Sequence, residues 1–452
     1  MDKLAAYIAK DAHIQSIVSL KGDLDLYIVG GTVRDILLDR QPEDYDFSLE
    51  GSGIDFARHV ARRTGGAFVV LDEKADEARV VVDDIIYDFV GVDQGGVASD
   101  LTRRDFTINA MAVHADRLEL IDPCHGLRDL KKRVIRPASA DALIADPLRI
   151  LRGFRFSLQL DFDLHRDFTK FARNISLEDV AAERIGEELL RIMSTPRSFD
   201  VILKINQLGV FKQIFKEAQK LIEDFDLWNH SLNTYGAVEY LIEHGFFTQL
   251  EPEYNTYFAE RNRIALCKLA GLFHDVAKPD TFLIKDGEIH FYGHDSIGAK
   301  MIEKIAHRRL RFSRHDTEVL KKLVKEHMRL HLLATNPDLT DRAIRRFFRH
   351  LGFDWFGAMI IAWADGYATG GRTNHLEKAF LRMVELYRAD MAKPKVERLV
   401  NGYDLIALGM KPGPNFKFIL QELLDMQLEG IIKEKAEGLE QAKKIAEKIN
   451  SD

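Results

Sequence analysis

Short apolar runs rich in β-branched residues open the chain: Leu26–Val29, Ala67–Leu71, Val80–Val82 and Ile85–Val90. Runs of this length bounded by polar and glycine residues predict strands. Helical patterns lie between them up to about residue 137, where the charged stretch Asp129–Arg136 meets Pro137. Beyond it the period changes. Ala142–Leu160, Leu177–Met193 and Phe199–Ile222 carry apolar residues at helical spacing, and strand signals become rare. The exceptions are a turn at Lys278-Pro279-Asp280, a hairpin expected around Asp286-Gly287, and a break at Lys411-Pro412-Gly413-Pro414. Lys433–Asp452 reads as a charged helix. The expectation is α+β: a small head with a mixed sheet (1–137), a helical neck (138–225), a larger helical domain (226–395) and a helical tail (396–452).

Length and composition agree. A chain of 452 residues, 46% of them hydrophobic, holds several domains with sizeable cores. Two distant cysteines, Cys124 and Cys267, exclude a disulfide framework and fit a reducing cytosol, so the expected setting is cytoplasmic. The start shows no secretory pattern, and no apolar run nears the ~20 residues of a membrane span. With a formal net charge of -7, a nucleic-acid partner must meet local basic patches.

The first chemical signal is Tyr27-Ile28-Val29-Gly30-Gly31-Thr32-Val33-Arg34-Asp35 followed by Asp44-Tyr45-Asp46-Phe47. Strand, glycine pair and helix form an anion cradle, although glycine pairs in turns are usually only turns. Arg34 meets a phosphate or stays a solvated face. Asp44 and Asp46 share one face of a strand and suit hard divalent cations. The plainer alternative is an acidic strand edge, against which stand the apolar neighbours of Asp46. Asp88 interrupts an apolar strand in the same way, and three such carboxylates could hold two Mg²⁺. In Arg103-Arg104-Asp105-Phe106-Thr107-Ile108-Asn109, arginine suits phosphate while Asp105 and Asn109 suit ribose hydroxyls. Asp146, Arg149 and Arg152, at i, i+3 and i+6, are expected on one helix face, able to read a base edge or to form a surface ion pair.

These pieces resemble the class II tRNA nucleotidyltransferase/bacterial poly(A) polymerase family of the DNA polymerase β superfamily. The matching stretches are VGGTVRDILLDRQPEDYDF, DLTRRDFTINAMAV, IDPCHGLRDL, DPLRILRGFRF and AAERIGEELLRIM, in family order. The resemblance implies that Asp44 and Asp46 bind Mg²⁺. It implies that Arg104, Asp105 and Asn109 contact the sugar and phosphates of ATP or CTP, and that Asp146 and Arg149 pair with the incoming base. The expected activity is template-independent addition of CMP and/or AMP to the tRNA 3′ end, with the acceptor region as partner; poly(A) synthesis is the alternative. Two departures stand out. Ala145 occupies the place of a usual glutamate, and only Phe89–Thr102 separates Asp88 from Arg103, where family members that add a whole CCA tend to carry a longer mobile loop. The short segment leans toward a partial activity such as CC addition. The segment Gly402–Gly413 resembles the same family's C-terminal region.

A second constellation follows: His230, His274-Asp275, His294, His327 and Asp365, with His331 four residues past His327 as a substitute. Imidazoles and carboxylates converging from several helices suit one or two divalent ions, including transition metals. Their order resembles the HD phosphohydrolase superfamily and implies metal-dependent phosphoester hydrolysis. A degenerate domain kept for RNA binding, or a phosphohydrolase with an RNA-binding head, are the alternatives. Arg342, Arg345, Arg346 and Arg349 fall on one helical stripe and Arg308, Arg309, Arg311 and Arg314 cluster, either as solvated faces or as phosphate contacts.

Overall fold

The computed structural model describes residues 2–245, 250–371, 373–392 and 397–451. The head is a seven-stranded sheet: β1 (Leu26–Val29), β2 (Asp44–Leu49), β3 (Ala67–Asp72), β4 (Glu77–Val82), β5 (Ile85–Gly91), β6 (Ala112–His114) and β7 (Leu120–Ile121). Its order is β3-β4-β5-β2-β1-β6-β7. Only β2 and β5 run parallel, with Asp46 opposite Asp88. The period of two then sorts the faces. Tyr45, Phe47, Tyr87 and Phe89 are buried and stack across the pair, with ring centroids 5.7 Å apart for Tyr45–Tyr87 and 5.5 Å for Phe47–Phe89. Phe56, Ala57 and Val60 of the helix Gly53–Thr64 belong to the same core, Phe56 meeting Phe89 edge-on. The acidic residues are left on the opposite face.

The helix Gly30–Leu37 starts directly off β1. Gly30 has φ +63°, and a Cβ there would fall 2.8 Å from Arg104 Nη1 and 2.9 Å from Asp46 Oδ2. Both conformation and space therefore demand glycine.

The neck corrects one expectation. Ala142–Leu160 is not one helix but two, Ala140–Ala145 and Arg149–Leu160. Asp146 lies between them in extended conformation (φ -141°, ψ 95°), off the helix face it was expected to share with Arg149 and Arg152. Pro147 is the cause, because its ring excludes the helical region for the residue before it. Leu177–Met193 is helical only from Ala182, and Phe199–Ile222 breaks at Gly209 (φ +72°) into shorter helices. Val134–Ile135 pairs in parallel with Asp163–Leu164 and joins head to neck.

In the larger helical domain, the helix Arg263–Phe273 is buried along its length between Phe225–Glu243, Arg314–Glu326 and Trp355–Ala368. The turn expected at Lys278 is a short helix, Lys278–Thr281, whose Pro279 sits in the first turn where its missing N–H costs nothing. The hairpin is present, Leu283–Lys285 pairing with Glu288–His290 around Asp286 and Gly287, both at positive φ. The tail has its own core of Val400, Leu405, Ile419, Leu423, Ile432 and Ala442, with the break at 411–414 and a final helix Lys435–Ser451. The boundary expected at 395/396 lies outside the described residues.

The basic stripe is a second correction. Arg342 pairs with Glu422, Arg345 with Asp390 and Arg349 with Asp425. Arg342 and Arg349 tie the domain to the tail, Arg345 ties two helices within it, and none of the three is free to track phosphates. Arg309 and Arg311 likewise meet Glu217 and Glu183 of the neck. No helix among the described residues is long and apolar enough to cross a membrane.

Candidate active site and metal cage

A cleft of about 1550 Å³ opens on the acidic face of the head sheet. Gly30, Gly31, Asp44, Asp46, Asp88 and Arg104 line it from the head, Asp146, Arg149, Arg152 and Arg184 from the neck, and Arg261 and Asn262 from the larger helical domain.

Thr32 registers the glycine turn against β2. Its hydroxyl accepts from Asp46 N (2.7 Å) and donates to Asp44 O (3.2 Å). Gly31 N–H donates to Asp46 Oδ2 at 2.9 Å, so one amide of the expected phosphate cradle holds a carboxylate here. Burial pushes the Asp46 carboxyl up to about 6, with Arg104 pulling the other way. Asp44 stands at the rim of the cleft, where partial desolvation of its carboxyl and then Asp88 push it up as well. A cation placed between such carboxylates would relieve both effects, and the donor chemistry suits a hard divalent ion.

Asp88 is on the expected face but engaged. Arg79 grips it through Nε (2.7 Å) and Nη2 (2.8 Å), across the β4–β5 ladder in which the two residues are partners. Arg79 went unnoticed in the sequence because only the strand register pairs it with Asp88.

A polar chain runs along the next wall. Arg34 donates to both oxygens of Asp35 and, through Nη1, to Asn109 Oδ1 at 2.8 Å. Asn109 Nδ2 donates to Asp105 Oδ1 at 3.0 Å, and Arg152 reaches Asp105 Oδ2 at 3.1 and 2.7 Å. Burial works against charge on Asp105, but Arg152, Asn109 and the Phe106 amide outweigh it and hold the carboxyl below its usual range. Arg104 donates to Ser48 and Asp100 and leaves Nη1 beside Gly30. Arg149 Nη1 donates to Arg103 O and Ala142 O, 2.9 Å each, which fixes its guanidinium at the cleft. Asp146 is held by Arg184 at 3.3 and 2.7 Å. Arg184 lies in a stretch quoted for the family resemblance, yet nothing in its spacing pointed to Asp146.

The second constellation converges completely. His230 Nε2 lies 3.2 Å from His274 Nε2, and His294 Nε2 lies 3.2 Å from His327 Nε2. Asp275 stands between the pairs, Oδ2 at 3.1 Å from His274 and 3.6 Å from His230, Oδ1 at 3.5 Å from His294 and 3.7 Å from His327. Asp365 Oδ1 lies 3.0 Å from His230. His274, His294 and His327 each donate Nδ1–H to a backbone carbonyl, of Gly271, Phe291 and Val324. A carbonyl can only accept, so each Nε2 lone pair is turned inward.

Two three-ligand groups result, His230/His274/Asp275 and Asp275/His294/His327, sharing the aspartate. Both buried Asp275 oxygens lack a well-directed hydrogen bond, although Lys278 Nζ reaches Oδ2 at 2.5 Å. A buried carboxylate left so is costly, and a cation satisfies it. Without one, a proton is drawn in: burial disfavours charge on His274, yet Asp275 and Asp365 push it up to about 10. Burial and the neighbouring His274 push His327 down to about 4. His331 adds to the set and does not replace a member, with Nε2 3.4 Å from Asp365 Oδ2 and Nδ1 3.2 Å from His375, a residue the sequence pattern did not single out.

The comparisons with known proteins agree with this geometry. Residues 26–92 and 92–136 match the model of the poly A polymerase head domain, 158–222 that of a probable RNA- and SrmB-binding site of polymerase A, and 227–369 that of the HD domain. An A-adding tRNA nucleotidyltransferase of Deinococcus radiodurans is 31% identical over 89% of this chain and 91% of that one. The chain belongs to the tRNA nucleotidyltransferase family. It is therefore an enzyme of nucleotidyl transfer carrying an HD domain. A CC-adding tRNA nucleotidyltransferase of Geobacter sulfurreducens is 43% identical over 43% of this chain and 46% of that one. The fold matches that of the Thermotoga maritima CCA-adding enzyme solved with tRNA, with a TM-score of 0.66 at 22% identity, covering 97% of this chain and 98% of that one.

Proposed function

We propose that the enzyme adds CMP residues from CTP to the 3′ end of tRNA and stops after CC. The observation that carries the reaction is the Asp44/Asp46 pair, held on one strand face by Thr32 and Gly31 above a cleft lined by arginine. Mg²⁺ bound by Asp44 and Asp46 would activate the terminal RNA hydroxyl and stabilise charge on the α-phosphorus. Arg104 offers a guanidinium to the phosphates. The Arg34–Asn109–Asp105–Arg152 chain holds Asp105 and Asn109 rigid for the ribose. Asp146 presents an acceptor and Arg149 a donor to the base edge. The RNA oxygen–phosphorus bond forms as the bond to the β-phosphate breaks, and pyrophosphate leaves.

The restriction to CC is supported by the segment after β5. It is a short helix, Gly96–Thr102, with Val97 and Leu101 buried against Tyr27, Val29, Ala110 and Ala112. Arg103 anchors its end to Asp93 and Asp100. A tethered helix does not serve a change of base during the reaction. The 43% identity of the Geobacter CC-adding relative, over 43% of this chain, points the same way. The test is extension of tRNA lacking its terminal CCA with CTP, ATP or both. Two CMP residues and no AMP are expected; a long A tail would make the enzyme a poly(A) polymerase.

The cage supports a second activity. His230, His274, Asp275, His294 and His327 would hold transition-metal ions, which would supply hydrolysis of phosphoesters there. Loss of phosphatase activity in Asp275→Asn with transfer retained tests it. A cytoplasmic setting supplies tRNA and nucleoside triphosphates, and the free thiols Cys124 and Cys267 fit it.

A further inference from the structure

The arginines that line the transfer cleft are nearly all committed. Arg34 meets Asp35, Arg104 meets Asp100, Arg152 meets Asp105, Arg184 meets Asp146, and others reach further carboxylates or carbonyls. Arg191 and Arg261 are the exceptions: their guanidiniums make no hydrogen bond or ion pair among the described residues. Arg191 still acts on Asp44, whose carboxyl it pulls down. Arg261 lines the cleft from the larger helical domain and is exposed. The acid beside it in the chain is taken, because Arg263 grips Glu260 through Nε (2.9 Å) and Nη2 (2.6 Å). On its other side Asn262 Nδ2 donates to Asp316 Oδ2 at 3.2 Å. The backbone is therefore anchored at both neighbours while the guanidinium stays uncommitted. The adjoining neck turn is fixed to the same domain: buried Lys268 donates to Thr195 O at 3.1 Å and to Glu239 at 2.6 Å, and Thr195 also lines the cleft.

We propose that Arg261 holds a backbone phosphate of the RNA strand whose 3′ end enters the cleft. This rests on transfer to RNA taking place there, and not on how many CMP residues are added. The reaction brings two polyanions into one cleft, and its volume of about 1550 Å³ exceeds the roughly 300–1,000 Å³ that holds one small ligand. The groups proposed for the nucleoside triphosphate all come from the head and neck. The strand is the anion left for a guanidinium on the third domain. In a chain of net charge -7, an exposed arginine without an acidic partner is a local place for an anion to bind. Guanidinium suits phosphate through paired N–H donors, and a phosphate contact positions a strand without reading its bases. The HD domain thus takes part in transfer through Arg261, independently of its metal cage.

The test is binding of labelled tRNA lacking CCA to the full chain by fluorescence anisotropy, in EDTA and without nucleotide, across a salt series. Arg261→Ala is expected to weaken binding about tenfold and to lower the slope of log affinity against log salt by about one. Arg261→Lys, which keeps the charge, should recover most of the slope and part of the affinity. In CMP incorporation, Arg261→Ala should raise KM for tRNA and leave KM for CTP where it was. Equal tRNA affinity and slope in Arg261→Ala would overturn the proposal. So would a rise in KM for CTP alone, which would put the guanidinium on the triphosphate. An unaltered chain that incorporates no CMP would instead refute the transfer reading, and the binding measurement tells the two failures apart.

Discussion

Arg184 holds the Asp146 carboxylate through two nitrogens, at 2.7 and 3.3 Å. Asp146 sits in the hinge between two neck helices, where Pro147 keeps it extended and the Leu148 N–H, at the entry of the second helix, donates to Oδ1. The guanidinium from another helix adds its hold, at a position where Ala145 supplies no carboxylate of its own. Oδ1 accepts from Leu148 N–H at 3.2 Å as well as from Arg184, so Oδ2 is the oxygen that keeps a lone pair for a base amino group.

Arg184→Ala should therefore relax base choice more than it slows chemistry. The expected result in single-turnover incorporation is about a tenfold loss in discrimination of CTP over UTP, the size of one well-placed hydrogen bond to charge. Arg184→Lys should recover part of it. Unchanged discrimination would assign Arg184 to stability alone.

Asp46 links pH to both binding and folding. Its folded carboxyl is raised to about 6, above the ordinary carboxylate value, so the folded chain holds that proton more tightly than the unfolded one. This group's stabilisation is complete at low pH and is lost as pH rises through about 6. Asp46→Asn should thus raise the stability of the metal-free chain at neutral pH, on the order of 1–2 kcal/mol after discounting for the open cleft. In the unaltered chain, Mg²⁺ affinity measured by titration should fall as pH drops below about 6.

The cage should separate from transfer. Metal loading is expected to raise the melting temperature of the unaltered chain and to leave that of Asp275→Asn unmoved, because the shared ligand is gone. CMP incorporation by Asp275→Asn should stay within about twofold, since no residue of the cage lines the cleft and sites without shared partners couple weakly.

The tail is held by charge. Asp425 is buried, and its partner is Arg349. Arg349→Ala leaves that carboxylate alone and should cost about 3 kcal/mol at this contact. Faster cleavage of the tail in limited proteolysis, with the head undisturbed, would report it. Removal of both charges in Arg349→Met with Asp425→Leu should restore resistance.

Strands, glycine turn and HD cage were legible in the sequence because each is written in local residue types. β1, β3, β4 and β5 have short apolar runs, Gly30 must be glycine, and His230, His274-Asp275, His294, His327 and Asp365 stand out as an ordered set. What was illegible depends on distance along the chain. Arg79 meets Asp88 only through the β4–β5 register. Arg184 meets Asp146 only through the packing of neck helices. Arg342 and Arg349 resembled a phosphate track because Glu422 and Asp425 come much later in the chain. The break at Asp146 did have a local signal in Pro147, which helical periodicity on either side concealed.

On the proposed function, Asp44 and Asp46 drive nucleotidyl transfer to RNA. The most direct measurement of this is incorporation of labelled CMP into tRNA lacking CCA, resolved to single nucleotides, for the unaltered chain and for Asp44→Ala with Asp46→Ala. The unaltered chain should extend by two residues with CTP. The double variant should fall by at least ~10³-fold, the scale lost with electrostatic stabilisation of a transition state. Undiminished extension by a folded double variant would contradict the account.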